Sequence, residues 1–299
     1  MPYATTADNV KLYYEETGQG APILFVHEFA SDHRGWEAQM REFGKRYRCI
    51  TYSARGYTPS DVPSDPNVYS YLHVMRDCVA VLDHLKVDKA HLVGLSMGGY
   101  TALQVALNHP GRVRSLVLAG TGSGFERDYV AEHHSSSHAL ADRFERKGSA
   151  RVADTYGRGP SRIPFEVKDP RGFAEFLRQF AEHDAQGSAH TMRGFPGARP
   201  SLLDFEDAIR KLKTPTLIVV GDEDERCIEP GLFLKSTIAA SGLVVFPKSG
   251  HAVNLEEPDL FNAVVGDFLG RVEAGRWGPR DPRSIASNPS APPWNRKPA

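Results

Sequence analysis

Cysteine is scarce in this chain, with three in 299 residues, at Cys49, Cys78 and Cys227. They are too few and too scattered for a disulfide framework or a four-ligand zinc site, which points to a reducing compartment. Each reads as a small buried side chain, and Cys227 lies close enough to a motif described below to touch a pocket. Net charge is scarce too: a formal charge of -1 gives no electrostatic reason to expect nucleic acid or an anionic membrane as partner. Long apolar runs are missing. Nowhere do about 18 apolar residues run together, and the opening "MPYATTADNVKLYY" has no basic patch followed by an apolar stretch. The expectation is a soluble, cytoplasmic protein without a membrane partner.

What is present is a globular composition, 40% hydrophobic and 24% charged, in a chain long enough for one large domain or a domain with an insertion. Short β-branched and apolar runs recur: "VKLYYEE", "PILFVH", "RCITYS", "KAHLVGL", "RSLVLAG", "PTLIVVG" and "GLVVFP". Bounded by Gly, Pro or polar turns, they read as strands, several of them apolar on both faces as buried parallel strands are. Between them lie helical patterns such as "SYLHVMRDCVAVLDHLK", where Leu72, Met75, Val79 and Leu82 repeat at three and four residues. Strand alternating with helix predicts an α/β sheet with helices on both faces. The alternation stops between residues 122 and 212, where amphipathic helical patterns with Gly and Pro breaks predict an inserted helical segment. Residues 273–299, rich in Pro and Ser, read as a tail that is wrapped on the surface or disordered.

The strongest chemical signal is "HLVGLSMGGYTAL". An apolar strand runs through Gly94, Ser96 and Gly98 into a helical pattern. Small residues beside the serine permit a sharp turn that holds its hydroxyl out, and the helix N-terminus behind it favours negative charge. A serine hydroxyl needs a base, and the base an orienting acid. Asp222, Glu223 and Asp224 follow the run "PTLIVVG", and His251 follows the next one, in the chain order serine, acid, histidine.

These residues together resemble the α/β-hydrolase fold superfamily, in its capped serine hydrolase and esterase branch. The resemblance implies a mostly parallel, eight-stranded-type sheet, with residues 1–121 and 213–272 as core and 122–212 as a helical cap. Its G-x-x-D pattern selects Asp224 over Asp222 as the acid, and "GHAVNLEEP" resembles the family's histidine motif with His251 as base. It implies that the backbone N–H groups of Phe29 and Met97 form the oxyanion hole, and that catalysis needs neither cofactor nor metal. "SARGYTPSDVP" departs from the family pattern, with Ser53 where Asp is usual and Thr58 where Gly is usual, so that loop's hydrogen bonds are expected to differ. The implied activity is hydrolysis of a small-molecule carboxylic ester, amide, thioester or lactone through an acyl-enzyme. Carbon–carbon bond hydrolases and cofactor-free peroxidases share such a site, and a ligand-binding, receptor-like member with little turnover is a further alternative. Epoxide hydrolases and haloalkane dehalogenases are disfavoured, because their pattern has an aspartate where Ser96 stands.

Glu28, in "LFVHEFASDH", stands where the family's H-G-x-x segment has a glycine. The donors of the hole are main-chain groups that any non-proline residue supplies, so the hole is expected to survive. The glutamate side chain either joins a hydrogen-bond network beside the site or faces solvent.

Weaker signals remain. "GTGSG", residues 120–124, lacks the spacing of a dinucleotide loop. His134 and His138 are spaced for a metal clamp but have no clear third ligand, and read as a polar helix face. His190, Arg193 and Arg199 lie among apolar residues in "AHTMRGFPGARPSL". They are either substrate contacts for a carboxylate or partners of cap acids such as Glu182 and Asp184.

Overall fold

Strand side chains alternate between two faces, and here each face has its own core. Along Pro22–Val26 (β3, after β1 at Tyr3–Thr5 and β2 at Lys11–Thr17), Ile23 and Phe25 enter one apolar cluster and Leu24 and Val26 the other. The same division holds in β5 (Ala90–Leu95), β6 (Val113–Ala119) and β7 (Thr216–Gly221), whose apolar runs are buried on both sides. With β4 (Arg48–Tyr52) and β8 (Ser241–Phe246) they form an eight-stranded sheet of order β1-β2-β4-β3-β5-β6-β7-β8. The β1/β2 and β2/β4 pairs are antiparallel and the other five parallel. The computed structural model describes residues 2–284, so the tail beyond Ser284 lies outside the described residues.

Helices α1 (Glu37–Phe43), α2 (Tyr71–His84) and α3 (Met97–Asn108) precede β6. Five more follow it: α4 (Val130–Ala153), α5 (Ile163–Lys168), α6 (Pro170–Ala181), α7 (Ala185–Gly194) and α8 (Glu206–Arg210). The last are α9 (Glu225–Thr237), α10 (Val253–Glu256) and α11 (Pro258–Glu273). Phe43 of α1 and Phe261 and Phe268 of α11 cover one face of the sheet; residues of α2, α3 and α9 cover the other. Doubly covered parallel strands explain why those runs carry no polar alternation.

Seven of the eight strands match the apolar runs read from the sequence. The eighth, β1, has three residues, too few to display a period. In α2 the buried apolar residues are Val74, Met75, Cys78, Val81 and Leu82, with Asp77 buried beside them, while Leu72 and Val79 lie half-buried at the margin. The stripe read from the sequence was therefore slightly rotated from the true one.

Between β6 and β7 the described residues hold helices and no strand. α4 packs on α6 and α7, and Phe144, Phe165, Phe173, Phe176 and Phe180 form an aromatic cluster inside this segment. The ring of Phe29, in the loop after β3, meets Phe144, Tyr156 and Phe180 edge-on, so the segment lies against that loop. The first part of the tail lies on the surface: Trp277 packs against Phe268 at 4.7 Å and donates its indole N–H to Ala240 O at 2.9 Å.

Candidate active site

Parallel strands deliver their loops to the sheet's C-terminal edge. There the chain passes from β5 to α3 through Ser96, whose φ of 55° and ψ of -112° are rare for a residue with a side chain. The flanking glycines make the turn sterically possible. A Cβ on Gly98 would lie 2.0 Å from Val26 O, and one on Gly94 2.3 Å from Gly98 O. Ser96 is pinned by its N–H to Ala119 O at 2.8 Å, and α3 begins with the next residue.

The loops after β7 and β8 are brought together by a third close approach, since a Cβ on Gly221 would lie 2.2 Å from Ser249 O. Glu223 N–H donates to Ser249 O at 2.9 Å, and Asp222 Oδ1 accepts from Ser249 N at 3.1 Å. Asp222 thus braces the loop from an exposed position, whereas Asp224 is 3% exposed and lies 2.7 Å from His251 Nδ1 through Oδ2. The histidine is clamped as well. Glu256 accepts the N–H of Gly250 at 2.7 Å through one oxygen and that of Ala252 at 3.1 Å through the other, while His251 N–H donates to Ser161 O at 2.8 Å. Glu256 was missed in the sequence, although it stands inside "GHAVNLEEP".

Electrostatics match this geometry. Burial disfavours the charged imidazolium, yet Asp224 and, more weakly, Glu28 outweigh it, and His251 is raised above the ordinary histidine value. Burial alone would raise Asp224, but the charge and hydrogen bond of His251 outweigh it and hold the carboxyl below its usual range. Cys227 lies beside the pair; Asp224, Cys227 and His251 offer donor atoms within 4.8 Å of one another. Burial, with Asp224 next to it, pushes the Cys227 thiol well up, so it stays protonated and donates to Gly120 O. With Asp224 Oδ2 engaged by the imidazole, the donor set suits a hydrogen-bonded pair rather than a metal ligand set.

Ser96, Met97, Phe29, Asp224 and His251 all line one cavity of about 740 Å³. The N–H groups of Phe29 and Met97 have no hydrogen-bond partner among the described residues. The Phe29 loop is held by His27, whose Nε2 accepts the Ala54 N–H at 3.0 Å, so that Nδ1 carries the proton and donates to Glu28 O at 2.7 Å. Burial lowers His27 to about 4, which keeps it neutral for this role.

Glu28 is buried. Its Oε2 accepts from Arg162 Nη2 and lies 3.8 Å from His251 Nε2, the side of the ring away from Asp224. Arg162 is also buried and follows Ser161, the residue that receives the His251 N–H. Ser53, in the loop that departs from the family pattern, pairs its hydroxyl with His33 Nδ1 at 2.8 Å. Asp32 of the Phe29 loop holds Arg34 at 2.7 Å and lies 3.3 Å from His183.

Other residues singled out in the sequence lie elsewhere. Arg193 is paired with Asp142 and Glu145 of α4 and does not line the cavity; its partners differ from the acids expected. His190 packs against Tyr69 and meets Gln186, also off the cavity lining. His134 and His138 donate from Nε2 to Arg199 O at 3.0 Å and Gly197 O at 3.1 Å, bracing a turn. The glycines of "GTGSG" serve backbone geometry: a Cβ on Gly120, φ 50°, would lie 3.3 Å from the His251 ring, and one on Gly122, φ 120°, 2.4 Å from Pro230.

Comparison with known proteins adds a family. Residues 21–258 match the model of the alpha/beta hydrolase fold. The chain is 30% identical to 2-hydroxymuconate semialdehyde hydrolase of Pseudomonas sp. (strain CF600), over 90% of this chain and 93% of that protein. It is 28% identical to 3-oxoadipate enol-lactonase 1 of Acinetobacter baylyi, over 85% of this chain and 91% of the relative. Among solved structures, a thermophilic esterase from Thermogutta terrifontis, with malate bound, superposes with a TM-score of 0.80 at 28% identity, covering 91% of this chain and 98% of that one.

Proposed function

The chain belongs to the alpha/beta hydrolase fold family, and from that premise we propose that it is a serine hydrolase that cleaves a small-molecule carboxylic ester or lactone through an acyl-enzyme. The observation that carries this reading is the convergence on one cavity of Ser96, on its strained turn, with a His251–Asp224 pair 2.7 Å apart. Relatives named as an enol-lactonase and an esterase support the substrate class.

Each residue then has one task. Asp224 fixes the proton on His251 Nδ1, which leaves Nε2 free to take the proton of Ser96 Oγ as that oxygen attacks the carbonyl carbon. The negative charge that develops on the carbonyl oxygen meets the N–H groups of Phe29 and Met97. His251 returns its proton to the departing alcohol or enol oxygen, and water, deprotonated by the same Nε2, releases the acid. Glu28 alone would oppose a growing negative charge nearby, and Arg162 offsets it. We assign residues 122–212 as the cap over this site, with its Arg162 and Ser161 touching the Phe29 and His251 loops.

The test is hydrolysis in ¹⁸O-enriched water with p-nitrophenyl butyrate and a simple lactone as substrates. The expected result is one solvent oxygen in the acid product and a loss of at least about 10³-fold in kcat for Ser96→Ala. Turnover that persists in Ser96→Ala, or product without solvent oxygen, would contradict the reading.

A further inference from the structure

Three arginines are buried among the described residues: Arg55, Arg162 and Arg199. A buried guanidinium is costly unless it is paired. Arg55 has Asp77 and Asp8, and Arg162 has Glu28. Arg199, 7% exposed, has no acidic partner among the described residues; the groups that act on its charge are Tyr100 and Cys227. It donates to the carbonyls of Ser123 and Pro200 and lies over the Tyr100 ring at 4.5 Å from the centroid. These contacts leave a full positive charge and further N–H donors without a counter-anion.

This arginine lines the cavity that contains Ser96. Its ring partner Tyr100 follows Ser96 by four residues on α3, about one helical turn or roughly 5–6 Å along the axis. His133 lines the same cavity and its Nε2 is buried without a hydrogen-bond partner. Burial, with Arg199 nearby, pushes His133 down to about 3, so it is neutral and able to donate one N–H. A guanidinium without an acidic partner, beside an unused imidazole donor, is complementary to a planar anion.

We propose that Arg199, with His133 beside it, binds a carboxylate carried by the substrate, so that the preferred substrates are acid-bearing esters or lactones with a short spacer between the two functions. The reacting carbonyl in this picture rests on the reading of Ser96 as nucleophile; the carboxylate site itself does not. A bidentate contact to a buried guanidinium discriminates strongly against a neutral analogue, because the analogue leaves the cation desolvated and unpaired.

The experiment compares mono-p-nitrophenyl glutarate with p-nitrophenyl pentanoate, and measures glutarate binding to Ser96→Ala protein by calorimetry. The hemiester is expected to exceed the neutral ester in kcat/KM by about 10- to 100-fold, mostly through KM, with that ratio falling to about one in Arg199→Met. Glutarate is expected to bind Ser96→Ala and to be lost in the Ser96→Ala/Arg199→Met double variant. If neither ester is turned over but glutarate binding depends on Arg199, the carboxylate site stands and the hydrolase reading falls. Should Arg199→Met not fold, Arg199→Lys keeps the charge and loses the fork, and a several-fold lower ratio is expected. An unchanged ratio in Arg199→Lys, equal wild-type use of both esters, or glutarate binding indifferent to Arg199 overturns the proposal.

Discussion

At Glu28, a carboxylate sits 3.8 Å from the nitrogen assigned to accept the nucleophile's proton, and it is kept there by a buried arginine. Its charge contributes to raising His251, while Arg162 acts in the opposite sense. The base works only when neutral, so kcat/KM should rise with pH through an apparent pKa above that of an ordinary histidine. Glu28→Gln removes one raising charge, and the rising limb is expected to move to lower pH. The same change leaves Arg162 buried without its ion, for an expected loss of about 3–5 kcal/mol in unfolding free energy by urea titration. A limb and a midpoint both unmoved would show the carboxylate to be a bystander. The oddity of Glu28 was legible, because a side chain replaces a glycine in a recognisable segment. Its partner was not, since Arg162 is 134 residues away and nothing local marks it.

Among elements, the junction of β5 and α3 shows what a local pattern can carry. Gly94, Ser96 and Gly98 sit within five residues, and the steric reasons for the two glycines act over the same short stretch and the adjacent β3. Replacing Gly98 with alanine would press a methyl onto Val26 O, so Gly98→Ala should destabilise the fold by about 2–3 kcal/mol and cut ester turnover by more than the folded fraction explains. Thermal unfolding with active-site titration separates the two effects, and wild-type stability with wild-type turnover would refute the steric argument. The helices between β6 and β7 were less legible. Their amphipathic pattern announced helices, but side-chain pairing across α4 and α7, such as Arg193 with Asp142 and Glu145, depends on packing that no short period encodes. Arg199 was visible as an arginine among apolar residues. Its missing counter-ion became visible only in three dimensions.

For the whole molecule, the sheet order places the loops after β3, β5, β7 and β8 around one cavity, and the helical segment meets two of them. The chain order serine, acid, histidine was readable because each follows an apolar run that becomes a parallel strand, and such strands deliver their ends to one edge. The bracing around them was not: Glu256 on the backbone either side of His251, Asp222 on Ser249 and Ser161 on His251 are contacts between separate loops. Among the described residues no helix is long and apolar enough to cross a membrane. The most direct test of Ser96 as an activated nucleophile is intact-mass labelling with a fluorophosphonate probe, with Ser96→Ala as control. One adduct on the wild-type chain and none on the variant is the expected result; no adduct on folded wild-type protein, or one that survives in Ser96→Ala, would contradict it.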